Sequence, residues 1–226
     1  MIAYNEFELL RVLRKKHIVS MEQLEEYAMS QYCDIPYKKS DILPIYSHLA
    51  NRGYVKDFTI TESGYKELEP YKVDNAFILA AGGAEISAKG VYSLPKGLYQ
   101  VSGEVLIERQ IRQLKEAGIE SIYVVLGYKK HTYLYLEEKC GISFVVNPNP
   151  KKNNIYSIYA ISSLLSNSYV CNCDNYYTDN PFDLYEYEAY HATVNKMVIV
   201  LSMYIQTKKE VSVYMDTHFL IKPFQD

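Results

Sequence analysis

The chain contains no tryptophan among its 226 residues, no long apolar run and no excess of positive charge. Its longest apolar stretches, such as 197–203, fall well short of the ~20 residues that a membrane helix needs. No membrane span is expected. The N-terminus mixes acidic and polar residues with its apolar ones, so no secretory signal is read there and a cytoplasmic location is the expectation. The formal net charge of −3 is spread evenly, with −1 over residues 1–72 and −2 over 73–226. By bulk charge neither part is a basic grip for nucleic acid. The four cysteines, Cys33, Cys140, Cys171 and Cys173, have no second Cys or His pair at zinc-site spacing and read as reduced thiols in or near a core.

What is present divides at about residue 72. Apolar positions recur at helical spacing over 4–16, with Asn5 as an N-cap, and again over 21–29 after Ser20. A third helix is expected over 41–52, with Pro44 in its first turn, where a missing N–H costs little. Two β-prone runs flank Lys56 and Asp57. Thr61 then caps a helix over 62–68 that Pro70 stops. The stretch ILPIYSHLANRGYVKDFTITESGYKEL resembles the recognition helix, wing and final helix of bacterial winged helix-turn-helix domains, and the resemblance implies a winged-helix domain over residues 1–72. Lys38, Lys39 and Ser40 stand where base contacts originate in such domains, but Asp34 and Asp41 flank them. DNA binding and a packing or dimerisation role, the latter implying a homo-oligomer, both stay open. The negative balance favours the second.

From Asn75 the pattern alternates: a strand over 76–80, helix 102–117, strand 119–126, helix 131–139, strand 142–146, helix 154–165 and strand 169–173. This is the order of an α/β, Rossmann-like, mainly parallel sheet with helices on both faces, over residues 73–226. Strand-like runs over 197–206 and 210–215 come after it. Ligands of such sheets lie at the carboxyl ends of strands. One such end is Phe77-Ile78-Leu79 running into Ala80-Ala81-Gly82-Gly83, with Pro95-Lys96-Gly97 beyond. Small residues let backbone N–H groups approach a polyphosphate, and a lysine neutralises it. The other end is Asp174, after Tyr-Val-Cys-Asn-Cys, either a magnesium ligand or a turn aspartate capping the segment 179–185.

In order, FILAAG (77–82), PKGL (95–98), GEVLIERQIRQLKEAGI (103–119), VVLGY (124–128), VNPNPKKNNIYSIY (146–159) and YVCNCDNYYTDNPF (169–182) resemble the nucleotidyltransferase superfamily. The narrower likeness is to the phosphocholine cytidylyltransferase-like group. The resemblance implies transfer of a nucleotidyl group from an NTP, CTP by preference, to a phosphate monoester such as phosphocholine. It implies that Ala81, Gly82 and Gly83 approach the nucleotide through backbone and that Lys96 pairs with its phosphates. Asn154 and Ser157 would line the pocket, and Asp174 would hold Mg²⁺. Tyr176 and Tyr177 would face a quaternary ammonium through cation–π attraction, or else simply pack.

The family's loop reads Gly-x-Gly-x-Arg, whereas Gly82 here leads to Gly83, Ala84, Glu85 and Ile86, with Lys89 beyond. The resemblance fades near Ala192, so a C-terminally shortened transferase domain is expected. Its only late aspartate before the terminal residue is Asp216. Two readings stay open. One is an active transferase. The other is a weak or inactive relative that acts as a nucleotide-binding or winged-helix regulatory protein.

Overall fold

Three helices, a two-stranded hairpin and a fourth helix make up the first of two units, Met1–Lys72 and Val73–Asp226. The computed structural model describes residues 2–29, 38–82, 94–150, 154–189, 191–192 and 218–221. In the first unit, α1 (Tyr4–Lys15) buries Phe7, Leu9, Leu10 and Leu13. Its N-cap is Ala3 rather than Asn5, because the Glu6 carboxylate takes the Ala3 N–H at 2.8 Å. Ser20 caps α2 (Met21–Ala28) by accepting from the Gln23 N–H.

Helix α3 (Lys39–Asn51) starts two residues before its expected place, since Asp41 accepts the Lys38 N–H at 3.0 Å. Pro44 therefore lies inside the helix, past its first turn, and the Ser40 carbonyl has no proline N–H to receive. Strands β1 (Val55–Lys56) and β2 (Thr59–Ile60) pair antiparallel around Asp57 and Phe58. The Phe58 N–H donates to the Tyr46 hydroxyl at 3.0 Å, and the two rings stack 5.0 Å apart. Thr61 caps α4 (Glu62–Leu68).

The second unit runs β3 (Asn75–Ala80), the hairpin β4 (Gln100–Val101) and β5 (Glu104–Val105), α5 (Leu106–Glu116), β6 (Ile122–Leu126), α6 (Tyr135–Cys140), β7 (Ser143–Val146), α7 (Asn154–Ile161), β8 (Ser168–Asn172), β9 (His191–Ala192) and β10 (His218–Ile221). The sheet order is β7-β6-β3-β8-β10-β9, parallel from β7 to β8, with β10 antiparallel to both β8 and β9. The mainly parallel α/β sheet expected from the sequence is what the chain forms.

Alternation along the strands divides the core. Ala76, Ile78, Val124 and Cys171 meet Ile107, Ile111 and Leu114 of α5 and Leu136 of α6. On the other face Phe77, Val125 and Val170 meet Ile161 of α7. Helices therefore cover both faces.

Several boundaries differ from expectation. The helix expected over 102–117 begins only at Leu106, because Ser102 and Gly103 both take positive φ (52° and 84°) and turn the chain into the β4–β5 hairpin. A 3₁₀ turn, Lys130–Tyr133, precedes the short α6, and α7 gives way to another, Ser162–Leu164. The strands expected over 197–206 and 210–215 lie outside the described residues, as does Asp216.

Candidate functional site

Parallel register sets Leu79 beside Asn172, so β3 and β8 end together and their continuations leave the sheet side by side. The Cys173 N–H continues the ladder to the Leu79 carbonyl at 3.2 Å. Immediately beyond, Lys96 opens the 3₁₀ turn Lys96–Leu98 and places its Nζ 3.6 Å from Asp174 Oδ2. The two charged residues singled out from the sequence, 78 positions apart, thus meet at the carboxyl end of the sheet. Both remain partly exposed, with side chains 43% and 28% accessible. Such a pair is weak enough to open for a ligand.

Beneath this pair the packing is tight and neutral. A Cβ on Gly97 would sit 3.0–3.2 Å from Cys173 and the Tyr133 hydroxyl. Burial pushes the Cys173 thiol up to about 12, with the Asp174 carboxylate adding to the effect. Burial, reinforced by Cys173, raises the Tyr133 phenol above its ordinary value. Neither ionises near neutral pH, so neither adds a negative charge beside Asp174.

Ala81 is buried, and its carbonyl accepts the Tyr128 N–H at 3.2 Å. That approach requires Gly127. A Cβ there would lie 2.6 Å from both the Ala81 carbonyl oxygen and Pro150 Cβ. Gly82 is exposed, with nothing within 4 Å of the place a Cβ would take. Gly83, Glu85, Ile86 and Lys89 lie outside the described residues.

Asn154 begins α7. Ser157 is buried and accepts from Asn147 Nδ2 at 3.0 Å, while Asn147 Oδ1 takes the Asn149 N–H at 2.8 Å. Ser157 thereby ties α7 to the segment leaving β7. Sequence reasoning passed over Asn147. Its signal was an Asn preceding Pro148, a residue type that folds its side chain onto backbone two positions on.

The two tyrosines differ. Arg109 lies over the Tyr176 ring at 4.7 Å, and that residue is partly accessible. Tyr177 is buried in the core, with its hydroxyl accepting from Asn175 and its ring edge-on to Phe182.

The largest feature that sequence reasoning missed is a row of donors on α5. Gln110 Nε2 donates to the carbonyls of Asn172 (3.0 Å) and Asn175 (2.9 Å). Gln113 Nε2 donates to Tyr177 (3.1 Å), with a longer contact to Asp179 (3.4 Å). Arg109 reaches the carbonyls of Tyr177 and Thr178 at 2.8 and 2.9 Å. The segment after β8 is therefore held by side chains of one helix. Both glutamines are almost wholly buried, and the Oε1 of each has no hydrogen-bond partner among the described residues. A buried acceptor left that way costs about 1–3 kcal/mol. The sequence signal was the polar Gln110 and Gln113 interrupting the apolar stripe of Ile107, Ile111 and Leu114.

Arg109 is itself held by Glu104 at 2.8 Å, and the same carboxylate takes Arg112 at 2.8 and 3.0 Å. Hydrogen bonding from Arg112, with Arg109 helping and desolvation opposing, holds the Glu104 carboxyl down at about 2.

Among the described residues no three His, Cys, Asp or Glu side chains cluster to form a ready-made metal cage. Magnesium commonly takes only one or two protein carboxylates and completes its shell with water and substrate phosphate. Asp174, partly open and beside Lys96, fits one such ligand. Among the described residues no helix is long and apolar enough to cross a membrane.

A family model for the MobA-like NTP transferase domain matches residues 76–201, more than half of the chain. The choline-phosphate cytidylyltransferase of Streptococcus pneumoniae is 44% identical over 108 residues, 47% of this chain and 47% of that protein. The 2-aminoethylphosphonate cytidylyltransferase of Lancefieldella rimae is 39% identical over 104 residues, 44% of this chain and 42% of that protein. The chain thus spans less than half the length of these curated relatives. Among solved structures, a CTP:phosphocholine cytidylyltransferase from Streptococcus pneumoniae is 31% identical, with 66% of this chain and 68% of that chain covered and a TM-score of 0.49.

Proposed function

The chain belongs to the MobA-like NTP transferase family, and on that premise we propose that it transfers a nucleotidyl group from CTP to a small phosphate monoester such as phosphocholine. The observation that carries the reading is the meeting of Lys96 and Asp174 at the joint end of β3 and β8. The relatives' names, both cytidylyltransferases, support CTP as the donor.

In this reading a phosphate oxygen of the acceptor attacks the α-phosphorus, the bond to the bridging oxygen breaks, and that oxygen leaves with pyrophosphate. The protein supplies in-line placement and charge rather than a covalent intermediate. Lys96 leaves Asp174 to pair with the triphosphate. Backbone of Ala81 and Gly82 lies along the nucleotide, and Asn154 borders it. Asp174 would hold Mg²⁺, which when bound would polarise the α-phosphate. Ser157 serves by fixing α7 through Asn147, and Tyr177 serves from the core. Tyr176, already under a guanidinium, is the better candidate for a cationic acceptor group.

The test is pyrophosphate release by the full chain from CTP and phosphocholine with Mg²⁺, with 2-aminoethylphosphonate as second acceptor. Release is expected with at least one acceptor. None with either acceptor or with any other NTP overturns the reading and leaves the second one, a nucleotide-binding relative without turnover. A sequence feature favours that alternative: Ile86 stands where the family's loop has arginine, with Glu85 beside it.

For residues 1–72, a winged-helix module used in packing or dimerisation is the matching proposal. Lys39 is engaged by Glu25 at 2.9 Å and the hairpin tip carries Asp57, which disfavours phosphate contact. A DNA complex that weakens steeply with salt would reverse it.

A further inference from the structure

The turn that carries Asp174 is poorly closed by its own backbone. Its end-to-end bond, from the Asn175 N–H to the Asn172 carbonyl, is 3.5 Å long, at the limit of what counts as a hydrogen bond. Across the same ends lies the Gln110 side chain. A primary amide has two N–H donors. Gln110 spends them on the Asn172 and Asn175 carbonyls at 3.0 and 2.9 Å, from a position wholly shielded from water. The two carbonyls bracket Cys173 and Asp174. The same contacts fix which way the amide points, since the flipped orientation would set its oxygen against two carbonyl oxygens.

The amide carries a cost as well as these two bonds. Its Oε1 is buried without a partner among the described residues, and the surrounding positions Ile107, Ile111 and Leu114 are apolar. A methionine of similar length would fill the space and remove the orphaned Oε1, but it would strip the Asn172 and Asn175 carbonyls of these donors. What only the amide supplies is a two-point brace on the turn.

We propose that Gln110 is a positioning residue for Asp174, holding the 172–175 turn so that the carboxylate is presented at a fixed angle to a metal–nucleotide complex. The inference rests on the reading of Asp174 as the metal ligand. It does not require Gln110 to touch metal, nucleotide or acceptor. Groups that orient a ligating carboxylate in this way typically change metal affinity by about 10–100-fold when removed.

The test is Gln110→Met in the full chain, with two readouts that do not depend on turnover and one that does. Amide hydrogen exchange at residues 173–175 is expected to rise by about tenfold while β3 and β6 stay as in the native chain. Mn²⁺ binding in the presence of CTP, followed by electron paramagnetic resonance, is expected to weaken by about tenfold or more. The Mg²⁺ concentration that half-saturates pyrophosphate release should rise in step, with less change in the KM for CTP. Gln110→Glu, which has the same shape and one donor when protonated, should fall between native and Q110M. It also serves if Q110M folds poorly.

Unchanged exchange at 173–175 would overturn the brace. Raised exchange with unchanged Mn²⁺ affinity would overturn the positioning role and leave a structural one. A native chain that binds no Mn²⁺–CTP and releases no pyrophosphate would instead sink the transferase reading, and the exchange result would still decide whether the brace exists.

Discussion

Two segments leave the carboxyl end of the sheet toward the candidate site, and they are held by different means. The turn after β8 hangs from side-chain donors of α5, with Gln110, Gln113 and Arg109 together reaching five backbone carbonyls. The segment after β6 has one backbone hydrogen bond there, from the Tyr128 N–H to the Ala81 carbonyl, and rests otherwise on close contact, where Gly127 lets that carbonyl and Pro150 close in. A turn hung on hydrogen bonds can be retuned one group at a time. A joint made by close contact is all or none, because any side chain at the glycine displaces backbone. The chemistry assigned to Asp174 lies in the adjustable segment.

The sharpest way to break this comparison is Asp174→Ala. Turnover should fall by about 10²–10³-fold, the size of effect that losing one preorganised charge-stabilising group produces. The melting temperature should barely move, because the carboxylate is partly exposed and paired weakly. A large loss of stability with intact turnover would show the turn to be structural.

Next comes Gly127→Ala. The added Cβ should destabilise by about 3 kcal/mol, as overpacking against an unyielding neighbour does. For a unit of this size that lowers the melting temperature by roughly 6–12 °C. A neutral result by thermal denaturation would mean that the Ala81–Pro150 joint yields, and the contrast between the two segments would fail.

The smallest effect is expected from Glu104→Gln, which removes the anchor of Arg109. The native carboxyl is held at about 2 against an ordinary 4.5, so its contribution is fully present above 4.5 and is lost as pH falls from there toward 2. Because the group is partly exposed, the difference from native should be about 1 kcal/mol at most. Denaturant titrations at neutral pH and near pH 2.5 should show it in the first and little of it in the second. An equal difference at both would detach the acid from the brace.

Much of the second unit is readable in the sequence because β-branched runs and helical stripes of Ile and Leu report directly on a two-faced sheet. The pairing of Lys96 with Asp174 was readable only as a loop lysine and a separate strand-end aspartate, since register is a property of β3 and β8 together. Three things were not readable in those terms. The β4–β5 hairpin hid inside a helical pattern, because Ser102-Gly103 turns the chain through positive φ while Val101 and Val105 still fit a helical count. The role of Gln110 depends on carbonyls 62 and 65 residues away. Strand β10 matters by pairing with β8, and nothing local to His218–Ile221 says so. Local propensity was likewise overruled at Lys39, where a capping aspartate two residues on drew the helix forward past the expected start.

The place of β8 in the sheet has one more consequence. The strand lies between β3, reached through pairs such as Asn75 with Ser168, 93 positions apart, and β10, whose His218 pairs with Cys171. Both neighbours are distant along the chain, so fixing β8 on either side means overcoming the closure entropy of a long segment. β6 and β7, joined through α6, can associate with far less chain to close. In order of assembly the turn bearing Asp174 therefore belongs to the late steps, and the chain acquires its candidate site only as the last long-range pairings close.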